Sequence, residues 1–197
     1  MKKILIPIIA VLLLTALTVF PTASDMEIYG KVIRLHVIAN SDSEYDQQLK
    51  LKVRDGILST VEELTRGCKT KDEAERVLRE NSGEIKDAAY CVLEENGSDL
   101  SVSIEIGQEK YPTREYENLR LPSGTYCSVR VKLGDADGKN WWCVLFPPLC
   151  LNSSVKAEEE LLQVGFTPDQ VGIITESSSP KYKIKFKLLE IIGSLFS

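Results

Sequence analysis

Apolar residues in this chain keep two different periods, and the switch between them falls near Gly97. Before it, Leu49, Val53, Ile57, Val61 and Leu64 recur every three or four residues, behind a Ser- and Asp-rich start and ahead of a stop at Gly67. That spacing predicts an amphipathic helix. Thr70 and Glu73 have capping-box spacing and open a second helix through Ala74, Val77 and Leu78. Asn81 and Ser82 are expected to cap a third, which runs through Ile85, Ala88, Ala89, Val92 and Leu93 to Asn96-Gly97. Ahead of all three, in the run from Ile28, Ile33, Leu35 and Val37 alternate with Arg34 and His36, as a strand requires.

After Gly97 the period is two. Leu100, Val102, Ile104 and Ile106 alternate with Ser101, Ser103 and Glu105. Cys127, Val129, Val131 and Leu133 share one face of a later run, a turn spans Gly134 to Gly138, and a return strand runs through Trp141 to Phe146. Strands grouped after helices predict an α+β fold, a mainly antiparallel sheet covered on one face by helices. Beyond Pro147-Pro148, Ala157 to Val164 reads as a short helix and the "ESSSP" run at 176–180 as a linker. The tail fits two periods at once. Lys181, Lys183, Lys185 and Lys187 alternate with apolar residues as in a strand, while Ile184, Leu188, Ile191 and Leu195 share a helix face. No internal repeat is visible.

The N-terminus reads differently from the rest. Lys2 and Lys3 precede an uncharged apolar run from Ile4 to Phe20, and Thr22, Ala23 and Ser24 come next, the layout of a secretory signal peptide cleaved near Ala23 or Ser24. An uncleaved anchor is the alternative, and in both cases the positive residues leave the downstream domain on the far side of the membrane. The expected organisation is therefore a signal peptide or anchor over 1–24, one α+β domain over 25–176, and an amphipathic tail over 177–197.

Composition narrows the function. A chain of 197 residues can bury one respectable core. Its 24 Lys and Arg against 29 Asp and Glu give a net charge of −5 with no basic patch suited to a phosphate backbone, so no nucleic-acid partner is expected. Membrane contact is expected only through the N-terminal segment or the Lys-rich tail. Five cysteines, at 68, 91, 127, 143 and 150, fall in a compartment that permits disulfides. They show no CxxC spacing and no set of histidine partners, so no structural zinc and no cofactor are expected.

His36 is the one histidine, so any Ser/His or Cys/His mechanism would have to use it. No GxSxG and no Gly-flanked Cys accompanies it, and it reads as a satisfied strand histidine without an obvious partner. Asn40, Asp42, Glu44 and Asp46 alternate like oxygen ligands of a calcium loop, yet Tyr45 stands where such a loop needs Gly and Leu51 where it needs Glu. Helix capping is the reading those residues support. The run "NWWCVLFPPLC", Asn140 to Cys150, holds both tryptophans of the chain. In a strand Trp141 and Trp142 face opposite sides, so one of them is expected outside the main core, and the Pro pair should stop the strand and stiffen the loop after it. Either Cys143 and Cys150 form a disulfide across that Pro pair, or both are buried as small apolar groups.

Two segments, "VIRLHVIANSDSEYDQQLKLKVRDGIL" (Val32 to Leu58) and "GKNWWCVLFPPLC" (Gly138 to Cys150), resemble the stage II sporulation protein R family of endospore-forming bacteria. The resemblance implies export from the forespore into the space between forespore and mother-cell membranes. It also implies a membrane-embedded aspartic receptor protease as the partner, which the exported protein switches on so that a mother-cell sigma factor loses its pro-segment. A signalling ligand, not an enzyme, is what it implies. Cys68, Cys91 and Cys127 depart from that family's pattern. The partner-binding surface is expected at Trp141, Trp142, Phe146 and Leu149, flanked by Arg34 and His36. An exported hydrolase working through His36 and Cys143 or Cys150, and a membrane-tethered structural factor, are the readings from other classes.

Overall fold

The computed structural model describes residues 27–116, 119–149 and 154–175. The N-terminal segment, the 176–180 linker, the C-terminal tail and Cys150 lie outside the described residues. A helical turn at 27–29 leads into β1 (Ile33–Ile38), so the run from Ile28 is extended only in its second half. Three helices come next: α1 (Glu44–Thr65), α2 (Lys71–Glu80) and α3 (Ser82–Glu95). After them are β2 (Val102–Tyr111), a small hairpin of β3 (Arg114–Tyr116) and β4 (Leu119–Leu121), then β5 (Gly124–Leu133) and β6 (Asn140–Phe146). The helices α4 (Ser154–Gln163) and α5 (Pro168–Thr175) complete the described chain.

The helix ends obey local chemistry. Ser43 caps α1 by accepting the Asp46 amide, and Thr70 caps α2 by accepting that of Glu73. The Glu73 carboxylate returns the bond to the Lys69 amide at 2.8 Å, one residue ahead of the position a capping box would use. Asn81 behaves differently from expectation. Its side chain makes no capping bond to α3 and donates instead to the Val77 carbonyl at 2.8 Å, closing the end of α2.

Alternation on β1, β5 and β6 divides the sheet into two faces. Ile33, Leu35, Val37, Val129, Val131 and Leu145 point at the apolar stripes of α1, α2 and α3, where Val53, Ile57, Leu78, Ala89 and Leu93 are buried with them. A second, smaller core forms on the opposite face, where Ile28, Val32, Tyr126, Leu119 and Leu121 meet Leu161, Phe166 and Ile174 of α4, α5 and the segment between them. The fold is α+β, as the pattern predicts, with this extra layer added.

The strand order β2-β5-β1-β6 contains the main surprise. The turn after β5 does not make a hairpin with β6. Because β1 runs parallel to β5, both strands finish at the same end, and the turn steps across the end of β1. Asp137 N–H donates to the Asn40 carbonyl (3.1 Å) and Gly138 N–H to that of Ala39 (3.0 Å), so the chain is laid on the far side of β1, where β6 pairs antiparallel with it. Two glycines permit the crossing. A Cβ at Gly134, whose φ is +54°, would overlap the Asn40 side chain, and one at Gly138 would overlap the carbonyl of Ser41.

Candidate functional site

One register line crosses the sheet on the face turned away from α1, α2 and α3. Glu105 of β2 stands opposite Arg130 of β5, Arg130 opposite His36 of β1, and His36 opposite Trp142 of β6. Directly opposed residues share a face, so four strands present one continuous row. His36 is its centre. Its Nδ1 lies 2.8 Å from Glu109 Oε1, its Nε2 lies 2.9 Å from Asn140 Oδ1, and its ring stacks on Trp142 with centroids 5.4 Å apart. The Arg114 guanidinium lies over the other ring partner, 3.8 Å from the Trp142 centroid. Glu105 accepts from Arg130 (3.0 Å) and Lys132 (2.7 Å). Burial pushes the Glu109 pKa up, but hydrogen bonds from Ser128 and His36 and the charge of Arg130 prevail and hold the carboxylate below its usual range.

Arg34 lies on β1 close to His36 and is fully buried. Its Nε donates to the Cys143 carbonyl at 3.1 Å and its Nη2 to the Tyr116 hydroxyl at 2.6 Å. The guanidinium is surrounded by aromatic rings: the Tyr111, Tyr126 and Tyr116 centroids lie 4.3, 5.2 and 5.8 Å from its central carbon. Among the described residues no carboxylate pairs with it. Tyr111 also donates to Glu109 Oε2 (3.2 Å) and lies 2.7 Å from Ser128 Oγ, and burial raises the pKa of its hydroxyl. The assembly is a tyrosine-lined cation beneath a histidine–tryptophan stack. Both nitrogens of His36 are engaged by neighbours, and the assembly presents charge and flat ring surfaces together.

The family model described as "Stage II sporulation protein R (spore_II_R)" matches residues 29–156, from the start of the fold into α4. The chain is 35% identical over 184 residues to "Stage II sporulation protein R" of Bacillus subtilis (strain 168), covering 85% of this chain and 82% of that one. The chain belongs to the stage II sporulation protein R family. Membership gives it a role in sporulation. No solved structure matches the chain.

Across this family member the residues picked from sequence are distributed unevenly. Trp142, His36 and Arg34 do come together on the face just described. Trp141 points the other way, packing against the main core with the Arg54 guanidinium 4.6 Å from its ring. Phe146 and Leu149 are both buried, the first in the main core and the second in the smaller one. Cys143 is disulfide-bonded and buried, and Cys68, Cys91 and Cys127 are free thiols; Cys150 lies outside the described residues.

His36 has the partners that its sequence neighbourhood does not reveal. Glu109 and Asn140 bond it directly and Arg130, Tyr111 and Arg114 lie around them, and none of the five stands out from the sequence as a site residue. The signal that could have raised Glu109 and Arg130 is charge at even spacing, Glu105 with Glu109 and Arg130 with Lys132, which marks one face of two neighbouring strands. The "NSDSEYD" loop is a capping and tethering knot. Asp46 accepts from Asn40 Nδ2 (2.9 Å) and Ser41 Oγ (2.5 Å), which lowers its pKa, and Asp42 Oδ1 accepts the Lys139 amide at 2.7 Å. It fixes the crossing turn to the start of α1.

Proposed function

We propose that this chain is an exported signalling ligand of endospore formation, which binds and activates a membrane-embedded aspartic receptor protease so that a mother-cell sigma factor is processed. Family membership and the tripartite N-terminus support export into the space between the two membranes. The observation that carries the ligand reading is the setting of His36, clamped by Glu109 and Asn140 and stacked on a half-buried Trp142. A ring held on both nitrogens is a structural part of a surface, not a base waiting for a nucleophile's proton. Moving a receptor from mostly inactive to mostly active requires about 5 kcal/mol of preference for the active state. Interfaces concentrate such energy in a few Trp, Tyr and Arg anchors, and this face holds all three types. The test is co-purification. The exported full-length chain, captured from sporulating cells, should bring the receptor protease with it, and capture should fail for Trp142→Ala while the variant remains folded; retention of the protease by folded Trp142→Ala at wild-type level would overturn the reading.

A further inference from the structure

The face around Trp142 is more positive than the chain that carries it. The whole chain has a net charge of −5, yet Arg34, Arg114, Arg130 and Lys132 gather here against the two carboxylates of Glu105 and Glu109. The arginines are also short of acceptors. Among the described residues, Arg34 Nη1, Arg114 Nε and Arg130 Nε are each buried without a hydrogen-bond partner, although Arg130 Nε has Glu109 Oε1 at the ion-pair distance of 3.4 Å. A buried N–H left unmade is costly, and three on one face is a concentrated deficit of acceptor oxygens. Solvent still reaches the row, with 49% of the Glu105 side chain, 33% of Lys132 and 28% of Arg130 exposed.

We infer that this face docks an acidic, extended polypeptide segment of the partner, whose carboxylates pair with Arg130 and Arg114 on either side of the His36–Trp142 stack. This rests on the ligand reading above and names the chemistry of its partner. Neighbouring strands lie about 4.8 Å apart, so Arg130 on β5 and Trp142 on β6, over whose ring Arg114 of β3 lies, start from backbone positions about 10 Å apart, while alternate side chains of an extended segment are about 7 Å apart. Arginine side chains span the difference. The intervening residue of the segment meets the edge of the Trp142 ring, whose faces His36 and Arg114 occupy, and an apolar side chain is favoured there. The chain's own tail is a poor occupant, because its Lys residues at 181, 183, 185 and 187 repeat the charge of the face. A second copy would likewise oppose one cationic face with another.

The full-length chain is titrated with a fluorescent peptide of alternating Glu and Leu, with the matching Lys and Leu peptide, and with phosphatidylglycerol vesicles. The Glu peptide should bind, weaken as salt is raised, and lose about tenfold in affinity for each of Arg114→Gln and Arg130→Gln. Equal binding of the Lys peptide, or indifference to both substitutions in variants that melt normally, would overturn the proposal. So would binding of the vesicles through these arginines without binding of the Glu peptide, since the partner would then be a membrane. Sporulation separates this proposal from the reading beneath it. If Trp142→Ala abolishes sigma-factor processing while Arg114→Gln and Arg130→Gln preserve it, the ligand reading stands and the acidic partner falls; if all three process normally, this face does not carry the signal and the proposal falls whatever the peptide does.

Discussion

Replacing Arg34 separates what that side chain does for folding from what it does for charge. Truncation to Ala removes the two hydrogen bonds to the Cys143 carbonyl and the Tyr116 hydroxyl, strips the faces of three tyrosines, and leaves a cavity in a fully buried site. Hydrogen bonds from a charged donor contribute about 1.5–3 kcal/mol each, and emptying a large buried side chain costs about 3 kcal/mol or more. Against these stands the desolvation of a guanidinium with no carboxylate beside it among the described residues, which costs several kcal/mol and is relieved in both Ala and Met variants. Arg34→Met refills most of the space, at about 0.8 kcal/mol per buried methylene, and so restores about 2–3 kcal/mol of what Ala loses. The expected outcome is a loss of about 4 kcal/mol for Arg34→Ala and of about 1 kcal/mol for Arg34→Met, read by urea unfolding monitored through tryptophan fluorescence. A Met variant as unstable as the Ala variant would refute the reasoning, because the guanidinium would then be a net source of stability. A folded Met variant that no longer signals would assign the charge to recognition.

Three further outcomes rest on the same geometry. Gly138→Ala should destabilise the fold by about 2 kcal/mol in thermal melting, since its Cβ would overlap the carbonyl oxygen of Ser41 at the crossing turn. Burial raises the Glu75 pKa, but hydrogen bonds from Lys71 and Arg79 outweigh it and bring the carboxylate down to about 2 from 4.5. A depressed carboxylate gives stability that is present above pH 4.5 and lost as pH falls toward 2, so Glu75→Gln should flatten the stability profile across that window in acid-titrated unfolding. Burial, with the Glu75 charge adding to it, raises the Cys127 thiol to about 11, whereas Cys91 is exposed; alkylation of the native chain without reductant should label Cys91, spare Cys127 and leave the disulfide-bonded Cys143 unmodified in peptide mass spectra.

How much could be read ahead of the structure depended on sequence distance. α1 was legible because Leu49, Val53, Ile57 and Val61 carry the helical period within one continuous stretch, and Ser43 caps it locally. The place of β1 in the sheet was not. Its parallel partner β5 lies far along the chain, with Ile33 opposite Cys127, and the glycines of the crossing turn look from sequence like those of an ordinary hairpin. The β3–β4 hairpin has strands of three residues, too short to show a period, and α5 begins at Pro168, which suits a helix start as well as a loop. The site divides in the same way. Alternation alone separated Trp141 from Trp142, but the groups that hold His36 are 73 and 104 residues distant, and only the tertiary fold joins them. Leu149 and Phe146 were expected at a surface; Leu149 is buried by the second core, formed partly by α4 and α5, and Phe146 by the main core under the helices.

The difference between the two adjacent tryptophans decides whether the face around His36 carries the signal. Each is changed singly to Ala in the sole copy of the chain in sporulating cells, and sigma-factor processing is measured beside the melting temperature of the purified variant. Trp142→Ala should abolish processing in a variant that still folds, with a melt lowered only by the loss of its packing on the smaller core, because its ring also forms the stack between His36 and Arg114 on the exposed row. Trp141→Ala should lower the melt and leave processing in proportion to the folded fraction, because its ring packs on the main core. Normal processing by folded Trp142→Ala would contradict the claim that this face carries the signal.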